Sequence, residues 1–319
     1  MGQLLQRQAL KAEIVRDLGP VADPKDWSQE RTGPAVPLYT DIATRAKAGR
    51  VRDVKVDQIN VVRDARKGEK DVKPGLNYVA NLTGKGECGF VDGDGVFRGP
   101  QLPVTLDGPL PKIAIMLGPK AFQHGKDGAF GTLRHEMKHA EHFQTMLDWV
   151  VKWRTEARKS GAATGRAGFD AWVDRHKGIG KVDHALLWGE REGNTSNTEL
   201  LAYVEGLINI WHLRQNAPSL SVGYDYPPAL YQLRRAGEEY NRAADAVKKV
   251  ALDRLRDYVK TVLTAAEQAH LKAWLVFLAD NAREQAKNAP AADAAAAKLL
   301  HNDFKPVAEF LKQFRGLVP

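Results

Sequence analysis

The chain of 319 residues contains a single cysteine, Cys88. That scarcity excludes an internal disulfide framework and any structural zinc site built from cysteines. No run of eighteen apolar residues is present, so no membrane span is expected. The opening MGQLLQRQALKAEIVRDLG is polar and amphipathic and lacks the apolar stretch of a secretory signal. Gly2 follows Met1, but Gln6 stands where a myristoylation start requires Ser or Thr. The expected location is the cytoplasm of the producing cell, or outside it by way of a dedicated secretion or injection system. A phosphate loop is also missing, since no G-K-S/T follows the glycines near 84–95, and there is no internal repeat.

What is present is ordinary for a globular protein: 43% apolar and 27% charged residues, in a chain long enough for one large or two ordinary domains. The net charge is +8 and the isoelectric point about 9.4. Lys and Arg are interleaved with Asp and Glu rather than gathered in an arm or patch. Nucleic acid is therefore not expected as the main partner.

The periodicity divides the chain in three. Residues 1–50 read as a short helix to about 17, an extended stretch with Pro20, Pro24, Pro34 and Pro37, and a short helix over 38–48. Residues 51–215 form the expected catalytic domain. It begins with short β-prone runs: 54–62, 76–82, 89–97, 104–106 and 112–117. The D-G-D-G run at 92–95 reads as a hairpin turn, since it lacks the ligand spacing of a calcium loop. After a turn-rich segment, 118–131, the period becomes helical over 130–158, with Leu133, Met137, Ala140, Phe143, Leu147, Val150 and Val151 at helical spacing. Trp149 and Trp153 on this helix are expected in the core. Shorter helices follow near 168–174 and 182–188, then a clear one over 198–213, capped by Thr195 or Asn197. Residues 216–319 read as a helical accessory domain, with helices over 228–258, 260–287 and 291–315, the last broken near Pro306.

The run L-R-H-E-M-K-H-A-E-H-F at 133–143 places His135, Glu136 and His139 in the order H-E-x-x-H. Residues four apart share a helix face, so two imidazoles converge on one metal ion while Glu136 reaches a water beside it. Catalytic zinc wants a third protein ligand. Glu199, opening a helix some sixty residues on, is preferred. Glu205 lies about 240° around that helix from Glu199, and only one of the two can face the ion. His142 lies about 4.5 Å beyond His139 along the axis, too far for a third ligand on one straight helix. Glu190 and Glu192 are the loop alternatives. The expected chemistry is hydrolysis by a zinc-activated water, with Glu136 as general base and then acid. Tyr203, one turn after Glu199, is the candidate second donor to the developing oxyanion, with His184 and His212 as alternatives.

The combination I-M-L-G-P-K-A-F (115–122), G-T-L-R-H-E-M-K-H-A (131–140) and E-L-L-A-Y (199–203) resembles the zincin metallopeptidases. It resembles more narrowly the glutamate-zincin domains of bacterial polymorphic toxins and contractile-injection-system effectors. The resemblance implies an α+β fold: a small mixed sheet with an active-site helix and a glutamate helix. It also implies Zn2+ held by His135, His139 and Glu199, Glu136 as base, and Lys112–Leu117 as an edge strand that lies against bound peptide. Partners implied are a protein or peptide substrate and, for an effector, a delivery apparatus or an immunity or chaperone protein. The metzincin continuation is absent, as is the downstream N-E-x-x-S-D form of thermolysin-like enzymes.

Two other classes compete. A ferritin-like di-iron protein would use the E-x-x-H units at 136–139 and 267–270. A non-enzymatic structural or adaptor protein, from a phage or secretion machine, would carry H-E-x-x-H by chance. Cys88 has no base at a readable spacing and is not expected to act as a nucleophile. His124, His176 and His301 read as surface groups.

Overall fold

The computed structural model describes residues 58–61, 86–91, 100–117, 125–161, 164–215, 227–287 and 307–319. Outside these lie the expected N-terminal helices and extended leader, the run 76–82, the D-G-D-G turn, His124, the alanine-rich stretch 291–297 and His301. The chain divides into two compact units, one of residues 16–198 and one containing 199–319.

The first unit is α+β. Three strands, β1 (Gln58–Val61), β2 (Gly86–Val91) and β3 (Lys112–Leu117), form a sheet in the order β1-β3-β2. β1 runs parallel to β3, and β2 runs antiparallel to it with Gly86 opposite Leu117 and Phe90 opposite Ile113. The sheet is thus small and mixed, as expected. Lys112–Leu117, however, is not an edge strand: it has a hydrogen-bonded neighbour on each side. Alternation sends Ile113 and Ile115 to one face with their cross-strand partners Phe90 and Cys88, and all four are buried.

Helix α1 (Gly125–Ser160, 36 residues) covers the sheet. It begins five residues before the expected start, inside what reads as a turn segment. Leu133, Met137, Ala140, Phe143, Leu147, Val150 and Trp153 form its buried stripe, while Val151, expected with them, lies one position round the helix and is exposed. The Phe143 ring meets Phe90 of β2 at 4.8 Å between centroids. At its far end, residues 101–111 carry no strand, against the expectation for 104–106. Arg154 holds them instead: its guanidinium donates to the Thr105 carbonyl at 2.6 Å, the Gly108 carbonyl at 3.1 Å and the Thr105 hydroxyl at 2.8 Å. Anchoring to a side chain replaces the ladder, a choice that no local periodicity encodes.

Helices α2 (Gly165–Arg175) and α3 (Lys181–Arg191) flank the second half of α1. Phe169 packs on Trp153 at 5.6 Å between centroids, and the Trp149 indole donates to Asp183 at 3.0 Å. Both tryptophans are in the core. Helix α4 (Ser196–Gln215) opens after Asn194, whose side chain accepts from the Ser196 amide at 3.1 Å. Asn197 is not the cap. It lies within the first turn and donates to the Ala185 carbonyl at 2.8 Å, tying α4 to α3.

The second unit is helical among its described residues. It contains the rest of α4, then α5 (Pro227–Tyr240), α6 (Asp245–Val262), α7 (Ala265–Lys287) and a last helix over 307–315. The expected helix 228–258 is two helices. Ala244 takes an extended conformation (φ −66°, ψ 148°) and Asp245 starts the new first turn, where a negative charge is favoured. Trp211 centres the core, 6.2 Å from the Tyr258 ring and 5.9 Å from Phe314. A bidentate pair, half-buried Arg254 to buried Glu205 at 2.7 and 3.1 Å, locks α6 to α4.

The strand–helix contact in the first unit is open to direct measurement. Phe90→Ala removes a fully buried ring from between β2 and α1. It is expected to lower stability by about 3–5 kcal/mol, read by urea unfolding of the full chain.

Candidate metal centre

The centre is built by one buried turn of α1. Leu133, Met137 and Ala140 fix the helix by core packing, so the residues between them hold a set direction. His135 and His139 are one turn apart, and their Nε2 atoms face each other at 3.1 Å. The ring centroids are 4.8 Å apart with planes at 76°. With Glu136 they form a cluster whose ligating atoms all lie within 4.8 Å of one another. The three are 7%, 5% and 7% exposed. It is the one such cluster of His, Cys, Asp or Glu among the described residues.

The geometry fits a zinc ion. Two Zn–N bonds of about 2.05 Å at a tetrahedral angle place the nitrogens roughly 3.3 Å apart. The observed separation is within a few tenths of an ångström of that without any movement of the backbone. Two nitrogens and a carboxylate are also the donor types that borderline-soft divalent metals prefer. The chain therefore carries a metalloenzyme-type site: a buried H-E-x-x-H cluster on a helix packed against a small sheet.

The sheet side of the centre is β2, which the sequence places three residues too late. Its alternating small residues Gly86 and Cys88, ahead of Phe90, are the signal that was available. Burial first, then the Glu136 charge, raise the Cys88 thiol well above the ordinary range against a lowering hydrogen bond from Gly89. Cys88 is therefore a neutral thiol beside the carboxylate, as expected of a residue with no nucleophilic role.

Several of the alternative ligands are committed elsewhere. Glu190 accepts from Arg166 at 3.1 and 2.7 Å and from the Leu102 amide at 3.0 Å. Glu192 is exposed and pairs with Arg191 at 3.2 Å. Glu205 is held by Arg254. His142 is buried beside the cluster, its ring 6.3 Å from that of His139 and edge-on to it. His184 stacks on Trp188, and His176, half-buried rather than on the surface, stacks on Trp172 at 4.3 Å. The His212 side chain lies outside the described residues.

Glu199 and Tyr203 stand in the first two turns of α4 and belong to the second unit. The Tyr203 hydroxyl accepts from Arg235 Nε at 3.1 Å. Burial and then the nearby Glu199 charge raise its ionisation far above that of an ordinary phenol, opposed by the Arg235 hydrogen bond. Tyr203 thus keeps its proton across the physiological range.

Zinc is expected to bind at one ion per chain, measured by metal analysis after dialysis. His135→Ala or His139→Ala should weaken binding by more than about a hundredfold, since losing a ligand exceeds the cost of losing an outer-shell partner. Comparison of the chain with protein-family models, curated proteins and solved structures finds no match in any of the three, so the centre is defined by the geometry of its own residues.

Proposed function

We propose that this chain is a zinc-dependent metallopeptidase. The observation that carries the reading is the facing pair of imidazole nitrogens with Glu136 in the same buried cluster. His135 and His139 would hold the ion, and zinc there supplies Lewis acidity toward a carbonyl and an acidified water. Glu136 takes the proton of the attacking water and returns it to the leaving amine. Its place one residue after His135, on an adjacent face of a fixed helix, suits both transfers. Burial of the cluster excludes bulk water and strengthens each of these interactions.

Glu199 is proposed as third ligand on the resemblance to glutamate-zincins, which draw that ligand from a later helix in an E-x-x-A setting; Glu190, Glu192 and Glu205 each pair with an arginine. Tyr203 is proposed as donor to the oxyanion: a phenol that accepts from Arg235 and retains its proton is a donor by type. The proposed substrate is a peptide in extended form. β2 suits its docking better than β3, because β2 packs on α1 and, among the described residues, pairs with a strand on one side only. The resemblance to effector zincins further suggests a toxin or effector carried out of the cell by a dedicated machine. Among the described residues no helix is long and apolar enough to cross a membrane.

The di-iron alternative fits less well. Glu267 closes a capping box at the start of α7, accepting from the Thr264 amide and hydroxyl at 2.6 and 2.7 Å, and His270 is exposed.

Glu136→Gln removes the base while keeping the shape of the side chain. It is expected to lower hydrolysis of a peptide library by at least about a hundredfold with one zinc per chain retained. Full activity in that variant excludes the mechanism, and an adaptor protein would show no hydrolysis in either form. Glu199→Ala is expected to weaken zinc binding at least about tenfold in a competition titration; unchanged affinity would assign the third position to another residue.

A further inference from the structure

Gly86 opens β2 directly opposite the general base. A methyl group added at its Cα would lie 2.7 Å from Glu136 Oε1, 2.9 Å from Cγ and 3.0 Å from Cδ. Carbon atoms do not approach that closely without something shifting, so the carboxylate arm occupies the space that any side chain at 86 would need. Glycine is not required here by the backbone. Gly86 is paired in the ladder with Leu117 and is not among the glycines with positive φ. Its absent side chain answers to space alone. The next residue on the same strand face, Cys88, is buried and feels the Glu136 charge, and Phe90 beyond it packs on Phe143. Strand and helix are thus held together two turns past the carboxylate. The seat cannot widen by sliding β2 away without breaking that ring contact.

We infer that Gly86 is a positioning residue: the bare backbone of β2 at this point is the seat that holds the Glu136 carboxylate in line with the two imidazoles. The inference rests on the hydrolase reading of Glu136 for its functional meaning, while the contact itself is independent of it. The three nearest atoms that a side chain at 86 would meet all belong to Glu136, so filling the seat displaces the base first, and metal binding and proton transfer separate. Displacing a general base by about an ångström is enough to cost up to roughly a hundredfold in rate.

The test uses the full chain with Gly86→Ala in two backgrounds, wild type and Glu136→Ala. Activity is read on the peptide that the wild type cleaves fastest from a quenched-fluorescent library. Gly86→Ala should keep one zinc per chain, with affinity within about threefold. Its kcat should fall at least about tenfold, with KM changed less than about threefold. In thermal unfolding without zinc, Gly86→Ala should lower the midpoint in the wild-type background and not in Glu136→Ala, where the atoms it meets are gone. A kcat within about twofold of wild type, or equal midpoint shifts in both backgrounds, overturns the inference. If Gly86→Ala alone fails to fold, recovery of folding in the double variant supports the seat and continued failure overturns it. If the wild type hydrolyses no peptide, the hydrolase reading falls, and the unfolding cycle alone decides whether the seat exists.

Discussion

Two imidazoles and a carboxylate, all more than nine-tenths buried, share one turn of helix α1. Such groups lose their hydration on folding, and a buried carboxylate without compensation is strongly unfavourable. A fold adopts that arrangement stably only if the surroundings fix it and a counter-charge is available. The surroundings are on view: the apolar stripe of α1, the Ile113, Ile115 and Phe90 face of the sheet, and the glycine opposite Glu136. A divalent cation between nitrogens 3.1 Å apart would supply such a charge. The chemistry proposed for the site and its electrostatic balance therefore make the same demand.

The parts of this structure that depend on spacing were legible in the sequence. His135 and His139 share a face because four residues make about one turn, whatever the fold around them. The helices from α1 to α4 follow from apolar recurrence, and Trp149 and Trp153 are core as that recurrence implies. What depends on partners was not legible. β3 reads as the most strand-like run because it is buried and β-branched, and those traits mark a central strand rather than an edge. The start of β2 was missed because Gly86 and Cys88 are poor strand formers alone, and their smallness makes sense only once Glu136 lies across from them. Residues 104–106 read as a strand because the arginine that holds this segment lies about fifty residues away. The break after Tyr240 has no proline or glycine to announce it.

The acidic residues show how the candidate set narrows. Sequence prefers Glu199 yet leaves Glu190, Glu192 and Glu205 as alternatives, since spacing alone cannot tell a ligand from half of an ion pair. The structure gives two of them bidentate arginine partners, Arg166 for Glu190 and Arg254 for Glu205. Each is a fork-to-fork geometry that fixes a side chain firmly and withdraws it from other roles. Guanidinium groups thus join neighbouring helices in both units.

The length of α1 has a mechanical side. Arg154, whose guanidinium grips the 105–108 segment, lies nineteen positions past His135, or about 28 Å along the axis. Between the two lies a stripe from Met137 to Trp153 buried against the sheet and the following helices, so the imidazoles are held along the whole span. A tilt of only about 3° over that length would sweep the imidazoles through roughly 1.5 Å, beyond the tolerance of about 0.5 Å that a working constellation allows. The buried stripe, with the Arg154 grip at its end, gives the helix the stiffness that such a narrow tolerance requires.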